Sequence, residues 1–337
     1  MKRLSIRHIL IALLILILAI IPAFVTTPYV LGIFITTFYI GCCTLAWSIL
    51  GGLTGQISLG HAGFMGLGSY ISAMLLNNAG ISPWISMIIS FFVVGLAAAL
   101  LLSPCFVLSG AYFTLVTIAF TEAFRNLFTN WEYAGSGQGI LIPMSKSGLA
   151  TMRWISKIPY YYIALIMVIL FYIILRTIDR SKLGYALKTI REDEDTAHAV
   201  GISSFKYKFI ATFLSAGLIA VVGVFYASYI GYINPDLFKN SNGLNYVMPA
   251  IIGGIGSVVG PLLGAGILTP LSEWLNSALS TISGLNLVVY AAIVIAVILF
   301  RPNGIMGWFN RSKLRDKINN KFDNIDEKLF NRKNGGN

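Results

Sequence analysis

Three long stretches of this chain, residues 9–25, 30–50 and 91–110, contain no charged side chain. Wound as a helix, roughly 18 or more such residues cross the ~30 Å hydrocarbon layer of a bilayer. A water-soluble domain devotes about a quarter of its residues to Asp, Glu, Lys and Arg. Here 11% are charged, 56% are hydrophobic and the mean hydropathy is +0.78. The chain therefore reads as all-α, a polytopic transmembrane helix bundle with lipid as its main neighbour.

The first apolar run follows Lys2, Arg3 and Arg7, as a secretory signal would. A cleavable signal has a shorter apolar core and a small-x-small cleavage site. Residues 22–27 offer no Ala-x-Ala, and another apolar run follows at once, so the segment reads as a retained first helix. Cys42, Cys43 and Cys105 lack metal-ligand spacing and read as small buried hydrophobes, with no disulfide implied.

About ten crossings are expected, at 9–25, 29–50, 57–77, 84–104, 109–130, 159–177, 206–232, 244–258, 261–279 and 284–300. An internal amino terminus puts the loop at about 178–205 and the tail after residue 300 inside as well. Nineteen of the 24 Lys and Arg residues then lie on that side, as the positive-inside rule requires. Parity needs a break near Gly260-Pro261, where Gly and Pro interrupt an apolar stretch. The same distribution explains the net charge of +11 without a nucleic-acid partner.

Helices in lipid meet where side chains are small. Ser58, Ala62 and Gly66 recur every four residues, as do Gly223, Ala227 and Gly231, and Gly256, Gly260 and Gly264. Residues 51–62 combine four glycines with Thr54, Gln56, Ser58 and His61 beside a span, the pattern of a broken or re-entrant helix start. They lack the Gly-Lys-Ser/Thr ending of a phosphate loop. His61 has no companion ligands nearby and reads as a packed, hydrogen-bonded histidine. Glu122 and Arg125, spaced (i, i+3), read either as a polar wall of a path or as a pair reaching the interface.

Residues 182–201 form the long polar stretch between spans. Leu183, Leu187, Ile190, Ala197 and Val200 approximate one apolar stripe of a single short helix. Lys188 with Glu192, and Arg191 with Asp195, stand at (i, i+4), and Gly201 ends the pattern. A solvated connector, a helix on the membrane surface and a docking helix for a soluble partner all fit this stretch. The acidic run 192–195 disfavours anionic lipid, and an apolar stripe can enter a groove on a partner.

These motifs resemble, in order, a known family. Gly55-Gln56-Ile57-Ser58-Leu59-Gly60-His61-Ala62, the run from Phe113 to Glu122, the loop from Leu183 to Glu194, Gly253-Gly254-Ile255-Gly256-Ser257-Val258-Val259-Gly260-Pro261, and Phe300-Arg301-Pro302-Asn303-Gly304-Ile305-Met306-Gly307 are similar to those of permease subunits in branched-chain amino acid importers of the ATP-binding cassette class. The resemblance implies a permease like that of a type II importer, with a transmembrane domain over 1–308; residues 309–337 have no counterpart in it and read, from their charge, as a basic cytoplasmic tail. It implies a second homologous permease, two cytoplasmic ATP-binding subunits and an extracytoplasmic substrate-binding protein. It also implies a bacterial inner-membrane location, and the positive-inside count makes both termini cytoplasmic. No cofactor is expected on this chain. It has no phosphate loop of its own, so ATP and Mg would be handled by the partners. The residues expected to meet the ATPase are Gly184, Ala186, Arg191, Glu192, Asp193, Glu194, Ala197 and Gly201. Those expected along the translocation path are Gln56, Ser58, His61, Thr114, Thr117, Glu122, Arg125, Gly253, Gly254 and Gly256.

Urea or short amides stand as an alternative substrate class. An ion-coupled secondary transporter would carry more ionisable groups than His61, Glu122, Arg125 and Glu273 in its spans. A membrane-embedded enzyme would need a nucleophile elbow or a His and carboxylate cluster, and neither is present in the sequence.

Overall fold

Backbones in a membrane bundle approach most closely where glycine replaces a side chain, and glycine pairs place the central helix here. The computed structural model describes residues 6–25, 27–108, 110–143, 148–279, 284–300 and 304–311. Helix α1 (Ile6–Phe24) leads to α2 (Pro28–Trp47), which ends in a π-helical turn, Ser48–Gly52. Then come α3 (His61–Ala79), α4 (Pro83–Leu102), α5 (Ala111–Asn130) and α6 (Ile158–Asp179). Two short helices, α7 (Lys182–Glu192) and α8 (Glu194–Ala199), precede α9 (Ser204–Ile230). The order closes with α10 (Asn240–Gly253), α11 (Gly260–Ala278), α12 (Leu285–Phe300) and α13 (Gly304–Arg311). One antiparallel ribbon, Ile140–Leu141 against Tyr232–Ile233, ties the loop after α5 to the end of α9.

Local chemistry sets the boundaries. Pro28, Pro83 and Pro261 sit in first turns, where a missing N–H costs nothing. At the end of α3, Gly80 adopts φ +62°, and the amides of Gly80 and Ile81 bond back to Leu76 and Leu75.

Helix α9 is the hub, packed between α3 and α4. A side chain on Gly68 would strike the Ala220 backbone, and one on Gly223 would strike that of Met65. Gly95 and Gly217 seat α4 on α9 in the same way, against Phe213 and Phe91. The Ser69 hydroxyl donates to the Gly223 carbonyl at 2.8 Å across the first contact.

Ten of the helices coincide in position with the ten expected crossings. Four, taken with their end turns as Pro28–Gly52, Pro83–Val107, Ile158–Asp179 and Ser204–Ile230, are long and apolar enough to cross a membrane. The chain is a multi-pass membrane protein. The 14 residues of α10 reach only about 21 Å, short of the hydrocarbon thickness. A break does separate α10 from α11, which starts at Gly260.

Three expectations change. Helix α3 begins at His61 rather than residue 57, so Ser58 lies in a non-helical segment, off the face of Ala62 and Gly66. The single helix expected over 182–201 is two helices. Asp193 leaves the helical region (φ −162°, ψ 117°) and caps α8 by accepting the Thr196 amide at 2.9 Å. Asp satisfies a free helix-start amide better than it serves a helix interior. That break parts Arg191 from Asp195, and Lys188 and Glu192, although both on α7, do not pair either. Lys188 instead bonds Asp179 at 2.6 Å, and Arg191 bonds Glu192 at 3.3 Å. Lys2, Arg3, Lys146, Arg301 to Asn303, and the tail from residue 312 lie outside the described residues.

Replacing Gly68 by Val should force α3 from α9 at a cost of about 1–3 kcal/mol, typical of overpacking. Gly266→Val, where nothing lies within 4 Å of an added Cβ, should be neutral. Thermal aggregation of the detergent-solubilised chain checks the pair.

Candidate coupling and translocation site

The α7–α8 segment lies against the bundle by its apolar face. Gly184, Ala186, Leu187, Ile190 and Ala197 are buried, and a side chain at Gly184 would strike the end of α6 at Ile178. The stripe read from the sequence is therefore used up within the chain, apart from Val200, which is exposed. A groove on another protein has only the opposite face to meet: Tyr185, Glu192, Asp195, His198 and Val200. The Thr196 amide also lowers the Asp193 carboxyl pKa from its ordinary value.

Glu194 is not free on this surface. Lys208, 3% exposed, donates to both Glu194 oxygens at 2.7 Å and to the Phe106 carbonyl at 2.8 Å. One buried ammonium thus ties α8 to α9 and to the turn that ends α4. A buried cation is tolerable only when its donors are satisfied in this way.

Arg191 reaches the other way, into two helix breaks. Its Nη1 donates to the Gly52 carbonyl at 2.8 Å, at the end of the π-turn of α2. A Cβ on Gly55 (φ +75°) would sit 2.7 Å from the Arg191 Cγ, and one on Gly256 (φ +82°) would strike Nη1. Both glycines adopt a left-handed backbone that other residues avoid, and both leave room for this one side chain. Gly256 also lies beside Gly52. Thus α7, the end of α2 and the α10–α11 break meet at one guanidinium.

Side chains satisfy the backbone freed at each break. Ser257 spans the second break, donating to the Gly254 carbonyl at 3.0 Å and accepting the Gly260 amide at 2.9 Å. Gly253 packs against Gly260. In the first break, Trp47 Nε1 donates to the Ser58 carbonyl at 2.8 Å. Thr114 donates to the Ile57 carbonyl at 2.7 Å, and Thr117 accepts the Leu59 amide at 3.1 Å. These two threonines thus fasten α5 to the break.

His61 is buried with both ring nitrogens engaged. The Ser215 hydroxyl donates to the Ala46 carbonyl, so it accepts from the Nε2 hydrogen at 2.8 Å. Nδ1 then accepts from the Ser58 hydroxyl at 3.2 Å. Gln56 differs: it is buried, and neither its amide nitrogen nor its oxygen has a partner among the described residues. Glu122 and Arg125 pair at 3.4 Å, both about a third exposed. Glu122 also accepts from Asn240 at 3.0 Å, and Arg125 lies 3.8 Å from Asp236, which Lys239 binds at 2.8 Å. Among the described residues no group of three or more His, Cys, Asp or Glu is placed to hold a metal.

Sequence reasoning missed Lys208, Asp236 and Asn240. The (i, i+3) spacing of Asp236 and Lys239 was a readable signal. A lysine opposite Glu194 had none, because the pair is joined only by the fold.

A family model described as the permease component of the branched-chain amino acid transport system matches residues 29–298. The high-affinity branched-chain amino acid transport system permease protein LivM of Escherichia coli K12 is 26% identical over 285 residues, which cover 78% of this chain and 66% of that protein. LivM of Salmonella typhimurium gives the same identity and coverage. The LivH permease protein of E. coli K12 is 31% identical over 127 residues, covering 38% of this chain and 40% of LivH. The chain thus spans just under two thirds of the length of the LivM relatives. No solved structure matches it.

Glu194→Gln should destabilise the chain by about 1–3 kcal/mol, since it strips the buried Lys208 of its anion while the partly exposed carboxylate limits the loss. Glu192→Gln, on the outer face, should stay within about 0.5 kcal/mol. Thermal unfolding of the purified variants separates the two acids.

Proposed function

This chain belongs to the branched-chain amino acid transport system permease family, and on that premise we propose that it moves leucine, isoleucine and valine across a bacterial inner membrane. It would serve as the membrane-spanning subunit of an ATP-binding cassette importer, paired with a homologous permease. Two cytoplasmic ATPases would supply the energy, with ATP and Mg held by them, and an extracytoplasmic protein would deliver the substrate. In this reading about ten crossings span residues 1–308, both termini are cytoplasmic, and residues 309–337 form a basic cytoplasmic tail.

The observation that carries the reading is the reach of Arg191 from α7 to Gly52, Gly55 and Gly256. A push on the exposed face of α7–α8 is transmitted to two points where membrane helices are already broken. Tightly packed elements shift between discrete arrangements rather than deform continuously, so a small displacement suffices to select one. The path would then be lined near these breaks by Gln56, Gly253, Gly254 and Gly256. Towards the other end of α5, Glu122 and Arg125 would supply its polar wall. Ser58, His61, Thr114 and Thr117 would hold the break in shape beside it.

Uptake of labelled leucine and of labelled urea is to be measured in cells with and without this chain, the ATPases present in both. Leucine uptake should require the chain; dependence of urea uptake alone would overturn the substrate assignment. Combining Tyr185→Ala with Glu192→Lys should lower leucine uptake at least about tenfold, equivalent to ~1.4 kcal/mol of lost coupling. The same variant should leave the thermal stability of the chain unchanged. Uptake equal to wild type would place the ATPase contact elsewhere.

A further inference from the structure

Glu273 lies on α11 in a segment otherwise free of charge from residue 240 to residue 300. It is half-buried, and no ion pair reaches its carboxylate among the described residues. An ionisable group held in a membrane segment without a counter-charge is costly, and it ordinarily marks a ligand path. This one opens on a cavity of about 160 Å³ between α2, α10, α11 and α12, against the ~10–15 Å³ that a single water needs. Tyr39, Asn245, Asn276 and Tyr290 share the walls with the carboxylate, which also lies within electrostatic reach of Tyr229. The cavity thus joins one negative charge to aromatic rings and amide oxygens, and its described lining contains no Lys or Arg.

That combination selects a small cation. The Glu273 carboxylate and the Asn245 amide oxygen can accept the hydrogens of an ammonium group, while the Asn276 amide oxygen already accepts from Asn286. A hard metal ion would prefer several carboxylates, and the cavity has one. The Tyr29 hydroxyl bonds the Glu273 backbone carbonyl at 3.5 Å. The cavity itself meets α2 at Thr36, Tyr39 and Ile40, near the middle of that helix, and Tyr29 sets Glu273 towards the end remote from Arg191. We propose that the cavity at Glu273 binds a primary ammonium group, the α-amino group of an amino acid entering from the side opposite α7. The site gives a substrate contact to the transport function proposed above and rests on it; a phospholipid headgroup with a primary amine offers the same chemistry.

The test uses the assembled importer in phosphatidylglycerol nanodiscs, where no lipid carries an amine. Carboxyl modification of Glu273 by a carbodiimide is followed by mass spectrometry. L-Leucine and isobutylamine should each slow the modification at least about fivefold, and N-acetyl-L-leucine, which has no ammonium, should not. Protection by phosphatidylethanolamine discs, but by neither soluble amine, upholds the ammonium site and gives it to lipid. Equal protection by leucine and its N-acetyl form, or none by any probe, overturns the proposal. In cells, Glu273→Gln should cut leucine uptake at least about fivefold, with Glu273→Asp recovering part of it. If wild type moves leucine and the Gln variant matches it, the inference fails and the transport reading stands. If wild type moves none, it is the transport reading that fails.

Discussion

A helix that breaks inside a membrane frees backbone groups that lipid cannot satisfy, and the layout of this protein follows from how two such breaks are closed. At each break the freed groups find hydroxyls: Ser257 at one, Thr114 and Thr117 at the other. The carbonyl of Gly52 receives a different donor, the guanidinium of Arg191, which comes from a helix outside the apolar layer. An arginine suits the position because its planar fork reaches far and carries several donors. Gly55 and Gly256 make room for it. A charged helix at the surface is thereby joined to the two weakest points of the bundle.

The rest of the charged segment is arranged to keep that joint in place. Leu187 and Ile190 press α7 onto the bundle, while Lys188 holds Asp179 at the end of α6. Lys208 and Glu194 hold α8 to the start of α9. Both ion pairs bridge neighbouring helices across the segment. The outer face, with Tyr185 and Glu192, bridges to no other helix among the described residues, with Glu192 paired to Arg191 of its own helix, and it remains available to another protein.

Much of this was legible in the sequence because lipid imposes strict rules. Uncharged runs of spanning length located α2, α4, α6 and α9, and glycines beside polar residues at 51–62 located the first break. Gly260-Pro261 marked the start of α11. The failures have a common physical form. Spacing shows periodicity and so carries the helix through Asp193, whereas its capping bond to Thr196 depends on local backbone geometry. Lys188 and Arg191 were given partners four residues along, while tertiary contacts supplied Asp179, nine residues back, and Gly52, 139 residues away. Thr114 and Thr117 looked like polar lining; they bond the backbone of a neighbouring segment instead. Composition does not show which of two polar surfaces a hydroxyl will choose.

The central claim is that motion entering at α7–α8 reaches the breaks through Arg191. Cysteines placed at Ile57 and Ile255, exposed residues of the two breaks, can be labelled in the assembled importer with and without ATP. The account predicts that ATP changes labelling at both positions when Arg191 is present. In Arg191→Ala that change disappears although ATP hydrolysis continues. An ATP-dependent change of the same size in the Ala variant would contradict it.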